Sequence, residues 1–311
     1  MGEPEAVILD RLRHERVVEV EKGRGGRSLA FKLTLASGAA GYFKPEQSFS
    51  GTNWYAEVVA HYLDRALGMG RVPPVVARQV PWELLAPAAG GDRRVDEIAV
   101  GEDGRVRGAL VWWLPKPPVP AVTPAGWENW VRVEPFSRWD VTPLQRASSY
   151  GATIRARKEM AVEGRGPDEP YFERVPEPDR PGRAAALSDL LLFDFLTLNI
   201  DRWGGDNGNV LTLGEGGPLI FLDNAAGFSR GPHRRSLMDA RFFICQRFRR
   251  RTIEALRTLD VAALGRAMAR DPLGPLLDDH LLEGIAVRRR RVLEHVDRLR
   301  ATHGDAAVLA W

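Results

Sequence analysis

Asn199-Ile-Asp-Arg-Trp-Gly-Gly-Asp-Asn-Gly-Asn209 and Leu222-Asp-Asn-Ala-Ala-Gly-Phe228 lie at the two ends of one short segment, VLTLGEGGPLIFLDN. Apolar residues flank its Gly-Glu-Gly-Gly cluster, which predicts a two-strand hairpin. A hairpin reverses the chain, so Asp201 and Asp223 are expected to converge. Asp, Asn and Gly are ordinary turn residues, and the first stretch taken alone reads as a loop. Two carboxylates and an amide on one cleft are also what phosphoryl transfer requires. One Asp accepts the proton of an attacking hydroxyl, while an Asn and a second Asp hold a divalent cation against phosphates.

Immediately before the first stretch, RAAALSDLLLFDFLTLNI has helical period, with Leu187, Leu191, Phe195 and Leu198 on one face. A buried helix there would anchor the loop from below. Toward the N-terminus, residues 15 to 45 read as an antiparallel meander: ERVVEVEKG, LAFKLTLASG and GYFKPE, with GRGGRS as a turn. The period then changes. In GTNWYAEVVAHYLDRALGMG, Trp54, Val58, Tyr62 and Leu63 share a helical stripe with Ala66 and Leu67; Thr52 or Asn53 caps its start, and Gly68 to Gly70 end it. VPPVVARQV and RGALVWWLP read as further strands. Residues 116 to about 145 are rich in Pro and Trp without a period and read as an ordered, irregular insertion. Residues 163 to 183, dominated by Gly, Pro and charge, read as a mobile loop. Arginine-rich helices follow the hairpin.

The expected fold class is therefore α+β and bilobal. A small antiparallel-sheet N-lobe with one helix is expected over 1–114, and a mainly helical C-lobe over 115–311, with the irregular insertion at about 116–183.

Composition narrows the function classes. The 311 residues are 44% hydrophobic and 27% charged, an ordinary globular composition. A net charge of +3, from 44 basic and 41 acidic residues, gives no signal for nucleic acid. The single cysteine, Cys245, excludes an internal disulfide and any cysteine-built zinc site, and reads as a buried helix residue. The opening MGEPEAVILDRLRHE lacks the basic-then-apolar pattern of a secretory signal, and no apolar run is long enough to span a membrane. These features lead to the expectation of a cytoplasmic protein. The arginines at 247, 249 to 251 and 288 to 291 read by default as a solvated basic helix face. His233, the one histidine near the motifs, reads as a surface or hydrogen-bonding residue.

A kinase-type site also needs a lysine on an N-terminal strand to reach the phosphates, and a glutamate on the next helix to orient it. Lys44, at the end of GYFKPE, and Glu57, early on the following helix, occur in that order. Singly, each reads as a surface residue, but Glu57 sits between Tyr55 and Val58, in the most aromatic part of its helix. Gly25 and Gly26 in GRGGRS offer backbone amides that could cover phosphates. Trp113 and Leu114 fall where an interlobe hinge and adenine pocket would lie.

With LLLFDFLTLNIDRWGGDNGN, LIFLDNAAGFSRG, GYFKPEQ and RVPPVVAR together, the chain resembles the atypical kinases of the four-jointed and Golgi casein kinase family. More distantly it is similar to phosphatidylinositol 4-kinases and HipA-type kinases. The resemblance implies Lys44 as the phosphate-binding lysine, Glu57 as its partner and a candidate metal ligand, Asp201 as catalytic base, and Asp223 as main metal ligand. Arg202 is expected to support the loop by pairing with a carboxylate. The family's short spacing would put an amide at 206, where Asp206 stands, so the metal-binding amide is Asn207 or Asn209, with Asn209 preferred, and Asp206 competes with both as a candidate metal ligand. The implied cofactors are ATP with Mg2+ or Mn2+. The implied partner is a hydroxyl-bearing substrate, with protein Ser/Thr favoured and a small molecule, sugar or lipid headgroup open. A nucleotide-binding pseudokinase and a nucleotidyl transferase are the competing readings.

Overall fold

The computed structural model describes residues 3–24, 26–48, 53–121, 127–134, 144, 182–203, 208–228 and 232–311. In its N-terminal part the strict alternation of FKLTL and AGYFKP makes β2 (Phe31–Leu35) and β3 (Ala40–Pro45), which bury alternate residues. With β1 (Val17–Lys22), β4 (Val75–Pro81) and β5 (Arg105–Trp112) they form an antiparallel sheet in the order β1-β2-β3-β5-β4. The expected meander is therefore present. The strands β4 and β5 are apolar at successive positions because both of their faces are covered. Val76 and Leu110 pack with Ile8 and Leu12 of helix α1 (Glu5–His14) and Leu85 of α3 (Trp82–Ala89). Val75, Ala77, Ala109 and Val111 face the other way, toward α2 (Trp54–Ala66).

The helical half begins with α4 (Arg183–Thr197), every residue of which from Ala184 to Thr197 is buried. A helix that is apolar on one stripe faces solvent on the other; this one is enclosed, with α5 (Pro232–Phe242) and α8 (Asp279–His303) among its neighbours. Phe195 of α4 stacks on Phe242 of α5 with ring centres 4.5 Å apart. The helices α6 (Arg250–Thr258) and α7 (Val261–Ala269) and a last short helix, α9 (Asp305–Val308), also belong to this part. The apolar core runs without a break from α2 into it. The fold is thus α+β and bilobal, as expected.

Several expectations need correction. The N-terminal 114 residues carry α1 and α3 as well as α2, because the short apolar spacings of Ile8/Leu12 and Leu85/Ala89 suffice once a sheet face is there to receive them. The hairpin of β7 (Leu211–Leu213) and β8 (Leu219–Ile220) has a third member, β6 (Pro118–Pro120), paired with β7. Two prolines mask this strand from propensity reasoning, and as an edge strand it tolerates them. Residues 118–120 and the buried turn Trp127–Val131 therefore belong to the packed structure, with Trp127 stacked 5.4 Å from Trp203. Asn53 is the N-cap residue of α2 by position, yet its side chain donates elsewhere.

The arginines are only in part a solvated face: Arg250, Arg251 and Arg290 are exposed, and others are engaged. Arg249 pairs with buried Asp189, and Arg291 with Asp239. Arg288 is buried and donates to the Leu196 carbonyl. Cys245 is buried, as expected, but follows α5 in non-helical chain, and burial pushes its thiol up to about 12. The loop expected over 163–183 lies outside the described residues apart from 182 and 183, and so does the side chain of His233.

Candidate active site

The strand β3 delivers Lys44 to the inner face of the sheet, where alternation places it beside Tyr42 and opposite the buried Phe43. Gly108 is what allows β5 to lie there: a Cβ on it would come within 2.5 Å of the Lys44 carbonyl and 2.6 Å of the Phe43 ring. Lys44 Nζ lies 2.5 Å from Glu57 Oε1 and 2.7 Å from Asp223 Oδ1. Three residues separated widely in sequence thus meet at one ammonium. Burial alone would lower the Lys44 pKa; the Asp223 and Glu57 charges override it and raise it above the ordinary lysine value. Reciprocally, the Lys44 charge holds the Asp223 carboxyl below the usual carboxylate range.

Glu57, 2% exposed, does more than orient the lysine. Its Oε1 also accepts from the backbone N–H of Asn224 (3.0 Å) and Ala225 (3.1 Å), and its Oε2 from Asn224 Nδ2 (3.3 Å). Asn53, at the head of the same helix, donates its amide to the Gly227 carbonyl at 3.0 Å. The start of α2 is therefore bonded to the loop that presents Asp223.

The two motif loops are joined to each other by a second set of contacts. Asn199 Nδ2 donates to the Asp223 carbonyl at 3.1 Å. Arg202 is buried; its Nε donates to both oxygens of Asp194 on α4 (3.1 and 3.2 Å), its Nη1 to the Leu222 carbonyl, and its Nη2 to Asn224 Oδ1 at 2.8 Å. The expected carboxylate partner of Arg202 is thus Asp194, which also accepts from Trp203 Nε1 at 2.8 Å. Burial raises the Asp194 carboxyl to about 6 against these donors. At position 227 a side chain would be crowded, since a Cβ there would stand 3.0 Å from the Asn224 carbonyl and 3.2 Å from that of Thr197. Leu198, Asp223 and Phe228 have positive φ (54°, 57° and 55°), and among the described residues no other non-glycine does. Left-handed backbone at such residues is strained, and strain of this kind gathers at functional loops.

Asp201 stands exposed at the head of its loop. Its N–H donates to Asn199 Oδ1 at 3.3 Å, and its carbonyl accepts from Asn209 Nδ2 at 3.2 Å. Asn209 therefore lies beside the expected base, with its amide oxygen turned from that bond. Asp206, Asn207 and Gly25 lie outside the described residues. Gly26, at φ 80°, lies in the turn between β1 and β2, where its carbonyl accepts from Arg94 at 3.0 Å. Trp113, just past β5, is 46% exposed; it sits 6.3 Å from Tyr42 with the Lys32 ammonium 5.3 Å over its ring, and half-buried Leu114 follows it.

Sequence reasoning misses three contributors. Arg241 on α5 donates to the carbonyls of Ile200 (2.6 Å) and Trp203 (3.2 Å). Asn224 links Glu57 to Arg202. Asp194, in the middle of an apolar helix, is visible in the sequence only as a lone polar residue where none is expected.

Oxygen donors suit a hard divalent cation, which a kinase site holds through one or two carboxylates together with nucleotide phosphates. Among the described residues no three of His, Cys, Asp and Glu form a metal-holding group. The half-exposed Asp223 carboxylate and the Asn209 amide oxygen fit a cation that arrives with a nucleotide. Glu57, loaded with hydrogen bonds on both oxygens, has less to offer one.

Comparison with known proteins places the chain among kinases. A family model described as "Golgi casein kinase, C-terminal, Fam20" matches residues 143–308. The chain is 27% identical to a human "Glycosaminoglycan xylosylkinase", over 97% of this chain and 76% of that one. It is 25% identical to the human "Extracellular serine/threonine protein kinase FAM20C", over 93% of this chain and 53% of that one. A solved "Golgi casein kinase with Mn/ADP bound" superposes with a TM-score of 0.69, over 98% of this chain and 78% of that one, at 18% identity. The names of these relatives, extracellular and Golgi, overturn the expectation of a cytoplasmic protein. A lone cysteine limits disulfide formation and does not fix a compartment, and Cys245 is too buried to react in any of them. No helix among the described residues is long and apolar enough to cross a membrane. With a family model covering more than half of its length, the chain belongs to the Golgi casein kinase, Fam20, family.

Proposed function

We propose that the chain is a metal-dependent kinase that transfers the γ-phosphoryl group of ATP to a hydroxyl. The observation that carries this reading is the meeting of Lys44, Glu57 and Asp223 at one ammonium, with the Asp201 loop bonded to the Asp223 loop through Asn199 and Arg202. In this reading Lys44 leaves Asp223 for the nucleotide phosphates while Glu57 keeps its place. Asp223 and Asn209 hold the divalent cation, and Glu57 ties their loop to α2. When bound, Mn2+ or Mg2+ supplies positive charge to the phosphate oxygens. Asp201 accepts the proton of the acceptor hydroxyl as its oxygen bonds to phosphorus and ADP departs. Trp113 and Leu114 border the nucleobase, and the turn that holds Gly26 covers the phosphates.

The presence of the lysine, the glutamate and both aspartates supports turnover over a regulatory pseudokinase. For the acceptor, the xylosylkinase relative is matched over more of its own length than the serine/threonine kinase, which favours a sugar hydroxyl over the protein Ser/Thr first expected. Release of ADP from Mn–ATP should be stimulated by a xyloside and less by a serine peptide. Stimulation by the peptide alone reverses the acceptor assignment. Binding of Mn–ATP with no stimulation by either supports the regulatory reading.

A further inference from the structure

Asp201 is the exposed residue of a stretch that follows a left-handed residue and leads, in sequence, into a glycine pair, so the local sequence does little to keep its carboxylate in one place. A base must be held to within a fraction of an ångström to be effective, and misplacement by about 1 Å can cost on the order of 100-fold in rate. Asn199 and Asn209 each bond the Asp201 backbone from within the same segment. Asn199 also ties the start of the segment to the Asp223 loop, but neither amide bonds it to a helix of the C-terminal part.

Arg241 does. It projects from α5, is 6% exposed, and donates Nη1 to the Ile200 carbonyl at 2.6 Å and Nη2 to the Trp203 carbonyl at 3.2 Å. These two carbonyls bracket Asp201 and Arg202. The guanidinium is a rigid planar fork, so bonding both carbonyls fixes their separation and hence the curvature of the chain between them. Its Nε has no partner among the described residues, and no carboxylate lies within ion-pairing distance of the group among them. Both of its hydrogen bonds among the described residues thus go to the backbone around Asp201, and the charges of Asp194 and Asp201, beyond ion-pairing distance, favour this costly buried cation as well. On the opposite side Arg202 bonds the same loop to α4 and to the Asp223 loop. The segment is pinned between two arginines, one from within it and one from α5.

We propose that Arg241 is a positioning residue for the base Asp201. The assignment rests on the kinase reading above. It acts through the loop backbone, touches neither nucleotide nor acceptor, and makes α5 a determinant of kcat.

The test uses the full chain with Arg241→Met and Arg241→Lys. The measurements are kcat, KM for ATP and acceptor, Mn–nucleotide affinity, the thermal midpoint, and amide exchange at Asp201 and Arg202. The expected result for Arg241→Met is a kcat lower by about 100-fold with KM and nucleotide affinity unchanged. Amide exchange in the loop is faster. Arg241→Lys, which can reach one carbonyl but not span two, recovers part of kcat. Full kcat in folded Arg241→Met overturns the proposal, and so does a loss of nucleotide affinity that parallels the loss of rate. If Arg241→Met does not fold, Arg241→Lys decides: wild-type kcat with wild-type exchange overturns it. Absence of phosphoryl transfer by the unaltered chain refutes the kinase reading itself, and is told apart because it involves no variant.

Discussion

Glu57 and Arg202 are opposite charges with parallel roles, each buried and each bonded to Asn224. Replacing Glu57 by Gln keeps the shape but removes the charge opposite Lys44 and places a donor where three donors already point. The expected loss in Mn–nucleotide binding is about 1.5–3 kcal/mol, the usual worth of hydrogen bonds to a charged group, measurable by calorimetric titration. Arg202 is different in kind, because its removal or that of Asp194 concerns folding before chemistry. Asp194→Leu leaves the Arg202 charge buried without a carboxylate and the Trp203 N–H without an acceptor. Breaking a buried pair in this way costs about 3–5 kcal/mol, which urea denaturation should detect. Unaltered stability would show that the pair is not an internal prop. The meeting of Lys44, Glu57 and Asp223 is legible in the sequence, since kinase chemistry demands those residue types in that order, and the same order singles out Asp201 as the proposed base. Arg241 is not legible, because an arginine in a basic helix carries no mark of the two carbonyls it reaches.

Among the elements, α2 joins the two halves. Its head is bonded to the Asp223 loop through Asn53 and Glu57, and near its tail Asp64 accepts from the Arg71 N–H, whose own carbonyl accepts from Phe221 next to β8. Its outer flank meets α1, where Glu5 accepts from Arg65 at 2.9 Å and lies 3.5 Å from His61. Burial, with Arg65 nearby, drives the His61 pKa down to about 4 despite Glu5. A histidine whose folded pKa is depressed contributes stability above its unfolded pKa of about 6.5 and loses it as pH falls toward 4. Denaturation at a series of pH values should therefore show wild-type stability falling through that window, and His61→Gln falling less steeply. Equal slopes would show that His61 has no part in the acid response. His295, lowered by burial as well, adds to the same trend. Elements are readable from sequence wherever period is strong, as in β2, β3, α2 and α4. The strand β6 escapes because prolines hide a strand that only its partner β7 makes visible. The helices α1 and α3 escape because two apolar residues make too weak a pattern without the sheet they cover. Gly108 illustrates the same limit: its lack of a side chain reads as a weak strand position, while in the fold it lets β5 pass the Lys44 backbone. Gly108→Val should disrupt that pairing and depress both thermal stability and nucleotide affinity.

At the scale of the molecule, the antiparallel sheet brings Lys44, the helix α2 brings Glu57, and the small sheet β6-β7-β8 separates and then rejoins the loops bearing Asp201 and Asp223. A continuous apolar core runs from α2 through α4, so the two halves of the site are held by packing as well as by hydrogen bonds. If this convergence transfers a γ-phosphoryl group with Asp201 as base, the label on the acceptor must come from the γ position alone. The decisive measurement incubates the chain with Mn2+ and a xyloside, using ATP labelled at the γ-phosphate in one arm and at the α-phosphate in the other. Expected are γ-label on the acceptor, none from the α position, and a rate lowered about 100- to 10,000-fold in Asp201→Asn with Mn–ATP binding retained. Transfer of α-label, or wild-type transfer by Asp201→Asn, would refute it.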